Sequence, residues 1–203
     1  TLNTWLGRGI GCFGGLAAVV SAAPALAHPG GAAVHGLTAG LAHPFLGLDH
    51  LLAMIAVGLL AGQAQARAVW MTPAAFVGAM LVGAGLGFAG VSLPLVEPVV
   101  LASSLVLGGL IVAALRLPAW GGPLLAASFG LFHGHAHGIE LAADASALTY
   151  AAGFVIATSA LHATGLAFAL LGQRLAGATR AARLTRLAGA AIVAAGGALV
   201  LAG

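Results

Sequence analysis

Residues 132–144 read FHGHAHGIELAAD and concentrate more polar chemistry than any other stretch of this sequence. They hold three histidines and two carboxylates, whereas the whole chain of 203 residues has eight histidines and four acidic residues. On a helix, at about 100° per residue, four of these groups fall within roughly 40–60° of one another. They are His133, His137, Glu140 and Asp144. His135 points away from them, so the stretch predicts a helix with one chemically active face.

A stripe of small residues runs beside that face, at Gly130, Gly134 and Gly138. Such a stripe lets a second helix approach closely, as transmembrane helices often do. Histidines and carboxylates are costly inside a membrane, and there they indicate a functional site.

The composition predicts a membrane protein. Hydrophobic residues make up 61% of the chain, charged residues only 5%, and the mean hydropathy is +1.11. A soluble domain would carry about a quarter charged residues. The basic pI near 10.6 does not indicate nucleic acid, because the arginines lie in short loops between apolar runs, as the positive-inside rule expects. We therefore expect the lipid bilayer, and no nucleic acid, as a partner.

Residues 1–27 have the pattern of a signal peptide. Arg8 supplies the positive charge, Gly9–Val20 is a short apolar core, and the ALA sequence that ends at Ala27 is a cleavage site. An uncleaved N-terminal helix is the alternative. Cleavage after Ala27 would leave His28 as the new N-terminus, where its amine and imidazole form a bidentate metal chelator. An ordinary polar residue after a signal site is an equally good interpretation of His28.

Six apolar runs follow, and most have the roughly 20 residues that span a bilayer core of about 30 Å. They are Val34–Gly62, Ala68–Val91, Leu95–Leu115, Trp120–Gly138, Ala147–Gly172 and Leu184–Ala202. With a secreted N-terminus, this count puts every arginine after Ala27 on the inner side. The sequence thus predicts an all-α, polytopic bundle of six transmembrane helices over residues 28–203, with both mature termini outside.

A second polar motif, HPFLGLDH at residues 43–50, opens the first run. His43 and His50 are two helical turns apart and would share a face of a continuous helix, and Asp49 can orient an imidazole. Pro44 makes a break plausible, with a short entry segment before a helix that starts near it. On the predicted topology this motif and residues 132–144 lie at similar outer depths, so the two can converge.

Imidazoles with carboxylates suit a borderline divalent transition metal such as nickel, cobalt, zinc, copper or iron. Cys12 is the only cysteine, so a cysteine-cluster site is excluded. Glu97 starts the third run at the same outer level, and a ligand and a helix-start carboxylate are equally good interpretations of it. His162 lies deeper and alone in its run, where a structural interhelical hydrogen bond is the better interpretation.

At these motifs the chain resembles the HupE/UreJ family of nickel and cobalt permeases. The matching stretches are His43–Met54 (HPFLGLDHLLAM), Glu97, and Phe132–Glu140 (FHGHAHGIE). The resemblance implies a secondary permease of the bacterial inner membrane that supplies metal for hydrogenase or urease maturation, or cobalt for cobalamin. It also implies a signal sequence removed before a histidine. Carried over residue by residue, the family's polar motif positions fall on His43, Asp49, His50, Glu97, His133, His137 and Glu140.

These features predict a transporter of Ni²⁺ or Co²⁺ rather than an enzyme, with the metal as substrate, no organic cofactor, and a periplasmic mature N-terminus. A cytoplasmic metallochaperone is a candidate partner. The sequence lacks a P-loop, the H-E-x-x-H order of zinc proteases and the G-x-S-x-G serine motif. A histidine-ligated metal or haem protein, acting as a sensor or in redox chemistry without transport, remains the alternative.

Overall fold

The structure, a computed structural model, describes residues 36–64, 68–115, 117–140 and 147–202. All of them belong to one compact unit, Ala33–Gly203. The predicted signal peptide, its cleavage site and His28 lie outside the described residues, as does Asp144. The described part is helical, as predicted, and the helices follow the apolar runs of the sequence. Their bounds are α1 Gly36–Ala42, a 3₁₀ turn His43–Phe45, α2 Leu48–Gln63, α3 Ala68–Phe88, α4 Val96–Ala113, α5 Gly121–Glu140 and α6 Ala147–Ala202.

The first apolar run is bent by 81° between the segment that ends at Phe45 and α2. Pro44 lies in the 3₁₀ turn, and Gly47 is extended, with φ −104° and ψ 118°. The break predicted at Pro44 is therefore present, but α2 begins four residues later, at Leu48. Because the helix is interrupted, the two-turn spacing of His43 and His50 does not put them on one straight face.

The last two predicted spans form one long element, α6, with a break at Gly177, where φ is 77° and ψ is 158°. At about 1.5 Å per residue, 56 helical residues would extend about 84 Å, well beyond one bilayer core of about 30 Å. Gly172 and Ala181, on either side of the break, lie beside each other, since a Cβ on Gly172 would be 3.5 Å from that of Ala181. We call residues 147–176 the first arm of α6 and residues 178–202 its second arm.

Within the described ranges, three helical stretches are long and apolar enough to cross a membrane: Val69–Phe88, Val96–Ala113 and Ala147–Ala202. A fourth is obtained if the bent pair of α1 and α2 counts as one span. Helix α5 is not among them because three histidines and Glu140 lower its hydropathy. If the bent pair is one span, α5 is another and each arm of α6 is counted separately, the number of spans is six. The six-span count stays a prediction.

Close glycine contacts set the relation of α3 to α5. A Cβ on any glycine of the predicted stripe would overlap a backbone carbonyl of α3. The pairs are Gly130 with Phe76, Gly134 with Met80, and Gly138 with Ala84. The two residue numbers rise together, so α3 and α5 run parallel with their backbones in contact.

Similar contacts relate α6 to the other helices. Gly58 of α2 packs on the His162 carbonyl, and Gly62 on Ala169, so α2 and the first arm run parallel. The second arm packs on α4 in the opposite sense, with Gly189 near Ile111 and Gly196 near Ser104. A chain that crosses the membrane six times in alternating directions would have these same parallel and antiparallel pairs.

Candidate metal site

Four histidine rings meet where α2 begins and α5 ends. His43 comes from the 3₁₀ turn, His50 from α2, and His133 and His137 from α5. The ring centroids are 4.4 Å apart for His43 and His137, 4.5 Å for His50 and His137, and 4.6 Å for His50 and His133. The two sequence motifs therefore converge, and we call these four residues the histidine cluster.

Asp49 holds the His50 ring. Its Oδ1 accepts hydrogen bonds from His50 Nδ1 and from the His50 backbone N–H, both at 2.8 Å. A carboxylate can only accept, so Nδ1 carries the proton, and in the neutral ring Nε2 has the lone pair. Nε2 is buried and has no hydrogen-bond partner among the described residues. A histidine oriented by a carboxylate, with its other nitrogen available, is the usual arrangement of a metal-binding imidazole.

Ser103 of α4 holds the His133 ring in the opposite way. The Ser103 hydroxyl donates to the Val100 carbonyl at 2.6 Å, and its oxygen lies 2.9 Å from His133 Nε2. Since the hydroxyl proton is already used, Nε2 donates and Nδ1 has the lone pair. In the part of the chain that the structure describes, Nδ1 is buried without a hydrogen-bond partner.

Aromatic side chains surround the cluster. The ring centroid of Phe154 lies 4.3 Å from that of His137, and the ring centroid of Tyr150 lies 5.8 Å from that of His43. A cavity of about 210 Å³ adjoins His137, with Met80, Tyr150 and Phe154 also in its lining. Apolar and aromatic side chains thus lie on the side of the cluster that faces this cavity.

The other candidate ligands have different positions. Glu97 is the second residue of α4, its side chain is exposed, and no described contact joins it to the histidine cluster. Glu140 is the last residue of α5, and its side chain lies outside what the structure describes. His135 points away from the cluster, as predicted, and its Nε2 bonds the Val91 carbonyl at 2.6 Å.

The cluster's rings contact one another directly. Among the described residues, no group of three or more His, Cys, Asp or Glu is already arranged to hold a metal ion. The rings of His43 and His137 meet edge to face, as do those of His50 and His133. Ring rotation is therefore needed before several nitrogens can face one cation.

The contacts of Ser103 and His162 differ from those expected from the sequence. Ser103 was not predicted, and the only signal was the Ser103-Ser104 pair inside an otherwise apolar helix. His162 was predicted to make an interhelical hydrogen bond, and that prediction is wrong. Neither ring nitrogen has a partner among the residues described, although both are buried.

Comparison with known proteins identifies the family. Residues 16–199 match the model of the family described as HupE / UreJ protein. The chain belongs to the HupE/UreJ family. A HupE/UreJ relative, Protein HupE from Rhizobium leguminosarum bv. viciae, is 42% identical over 181 residues, which are 89% of this chain and 93% of the relative. No solved structure matches the chain. The resemblance seen in the sequence motifs is thus confirmed.

Proposed function

We propose that this protein imports Ni²⁺, or Co²⁺, across the bacterial inner membrane as a secondary transporter, through the histidine cluster. Membership of the HupE/UreJ family supports a nickel/cobalt transporter in general. One observation carries the finer proposal: two motifs more than 80 residues apart bring His50 within 4.6 Å of His133 and 4.5 Å of His137, measured between ring centroids.

The donor atoms suit this substrate. Imidazole nitrogen is a good ligand for nickel and cobalt, and metal binding requires the neutral ring. Asp49 and Ser103 leave His50 Nε2 and His133 Nδ1 unprotonated in the neutral rings. A divalent ion that binds there has no proton to displace from these two nitrogens. The Asp49 carboxylate supplies negative charge beside the ion.

A transporter must also be able to release the metal ion from the histidine cluster. A complete set of protein ligands in a dry site would hold the ion too tightly for transport, so we propose partial coordination by the cluster. The membrane potential can drive entry, since two charges moving through 100 mV gain about 4.6 kcal/mol. No organic cofactor and no catalytic reaction are part of this proposal. A cytoplasmic metallochaperone is a candidate recipient, and the mature N-terminus is periplasmic.

The further candidate ligands complete the proposal. Glu97 and Glu140 lie at the same predicted outer side as the cluster, where carboxylates attract cations before they bind. His28, if it becomes the N-terminus, adds an amine and an imidazole at that side. These three residues are proposed to collect the metal ion, whereas the four clustered histidines and Asp49 bind it within the bundle.

Uptake of radioactive nickel and cobalt tests the proposal. Cells lacking their own transporters would express wild type, His137→Ala, or Asp49→Asn at matched membrane abundance. We expect time-dependent uptake by wild type and at least about a tenfold loss in both variants. His135→Asn is the control, because this histidine lies outside the cluster and should keep uptake. Equal uptake in all four proteins would remove the cluster from the transport path.

A further inference from the structure

His162 is a buried histidine for which the fold gives no structural reason. Its side chain is 2% exposed, and neither ring nitrogen has a hydrogen-bond partner among the described residues. Thr158, one turn earlier, uses its own hydroxyl on Met80 Sδ at 3.9 Å. Burying a polar group without a partner costs stability, and such groups in folded proteins therefore call for an explanation.

The position of His162 relates it to the histidine cluster through one aromatic ring. The Phe76 ring centroid lies 5.5 Å from that of His133 and 5.1 Å from that of His162, and Phe76 is fully buried. Along α2, Gly58 packs on the His162 carbonyl, eight residues after His50. At about 1.5 Å per residue, His162 thus lies about 12 Å further along the bundle axis than His50.

A second cavity lies beyond Phe76, at the end of the bundle opposite the cluster. It has a volume of about 380 Å³, and its lining includes Gln63 and Thr72. Thr72 precedes Phe76 by one turn of α3 and is buried. Gln63 donates from Nε2 to the Ile111 carbonyl at 3.3 Å, whereas its buried Oε1 has no partner within the described ranges. Polar side chains thus line this opening, which lies at the predicted inner end of the bundle.

We propose that His162 is an inner binding point for the transported metal ion, reached from the histidine cluster past the Phe76 ring. The inference rests on the proposed function. One imidazole holds a divalent ion more weakly than several do, so an ion at His162 can move on to the cavity beside Gln63. In the neutral ring one nitrogen of His162 has a lone pair, and that nitrogen is the proposed ligand of the passing ion, which accounts for its burial without a partner.

Binding measurements on the purified, full-length protein test this directly. Co²⁺ added to wild type in detergent should show two binding events by equilibrium dialysis, a tighter one at the cluster and a weaker one at His162. His162→Leu, of similar volume, should lose only the weaker event. His137→Ala should weaken the tighter event and keep the other. A single event in wild type, or two events in His162→Leu, would overturn the proposal.

Uptake separates this proposal from the function on which it rests. His162→Leu should keep or raise the thermal unfolding temperature, because the lost nitrogens are buried without a partner, and it should lose uptake by about tenfold. Thr164→Val, on the exposed face of the same arm, is the control and should transport normally. Normal uptake by folded His162→Leu would refute the inner site alone. Absence of uptake in wild type would refute the proposed function first.

His162→Gln serves if the leucine variant fails to reach the membrane. The amide keeps a polar side chain of similar size but offers the ion an oxygen, a poorer ligand for nickel and cobalt than imidazole. It should lose the weaker Co²⁺ binding event while the tighter one stays. If the tighter event is lost instead, His162 shapes the cluster and is not a separate binding point.

Discussion

Ser103 gives its hydroxyl proton to the Val100 carbonyl at 2.6 Å, so toward His133 Nε2, at 2.9 Å, it can only accept. The His133 tautomer is therefore set from α4, a helix that contributes none of the four clustered histidines. Asp49 does the same for His50 from within α2. The two orienting groups act on opposite nitrogens of their rings, which leaves one lone pair on each ring for a cation.

Replacing Ser103 should weaken metal binding although Ser103 is not itself proposed as a ligand. Ser103→Ala frees the His133 ring to rotate and to change tautomer, and loss of such an orienting partner typically costs about 10–100-fold in metal affinity. Titration of Co²⁺ into the purified protein measures this. Ser104→Ala is the matched control, because the Ser104 hydroxyl donates to the Leu101 carbonyl of its own helix. Equal affinities in the two variants would contradict the role of Ser103.

Acidification outside the cell should inhibit uptake competitively. Protons and metal compete for the imidazole nitrogens, because a protonated nitrogen has no lone pair to offer a cation. The groups concerned are those of the histidine cluster, with Asp49 beside them. Lowering the outer pH from about 7.5 to about 5.5 should raise the KM for Ni²⁺ and leave the maximal rate unchanged. Initial rates at several nickel concentrations measure both. A lower maximal rate with constant KM would show that protonation acts elsewhere.

The break in α6 should depend on its glycine. At φ 77° and ψ 158°, Gly177 has a backbone conformation that residues with a Cβ rarely adopt, at a typical cost of about 1–3 kcal/mol. Gly177→Ala should therefore lower the thermal unfolding temperature of the purified protein. Gly197→Ala, inside the second arm, is the control, since a Cβ there meets nothing within 4 Å. Similar unfolding temperatures in both variants would mean that the break tolerates other conformations.

The sequence predicted that the two histidine motifs can converge, because it placed both at a similar outer depth. Arginine placement favoured six crossings, and that predicted count put His50 and His137 at the same end. Asp49 as an orienting group followed from its position next to His50. The bend before α2 followed from Pro44, although its angle of 81° and the start at Leu48 did not.

The remaining features depend on contacts that no local pattern encodes. A serine inside an apolar helix usually bonds its own backbone, as Ser104 does, so the reach of Ser103 to His133 required the packing of α4 on α5. The predicted loop after Gly172 is helical except at Gly177, because its alanine, leucine and arginine residues are good helix formers. His162 was misjudged because a hydrogen-bond partner can be assumed, but not located, from sequence.

The parallel contact of α3 and α5 should tolerate no added methyl group at its centre. A Cβ on Gly134 would overlap the Met80 carbonyl, so Gly134→Ala must push the helices apart, and overpacking of this kind costs about 1–3 kcal/mol. We expect lower thermal stability and lower metal affinity, since His133 is its neighbour. Gly78→Ala in α3, where a Cβ meets nothing within 4 Å, should keep both. If Gly134→Ala matches Gly78→Ala in unfolding temperature and Co²⁺ affinity, close approach of these helices is not what positions the cluster.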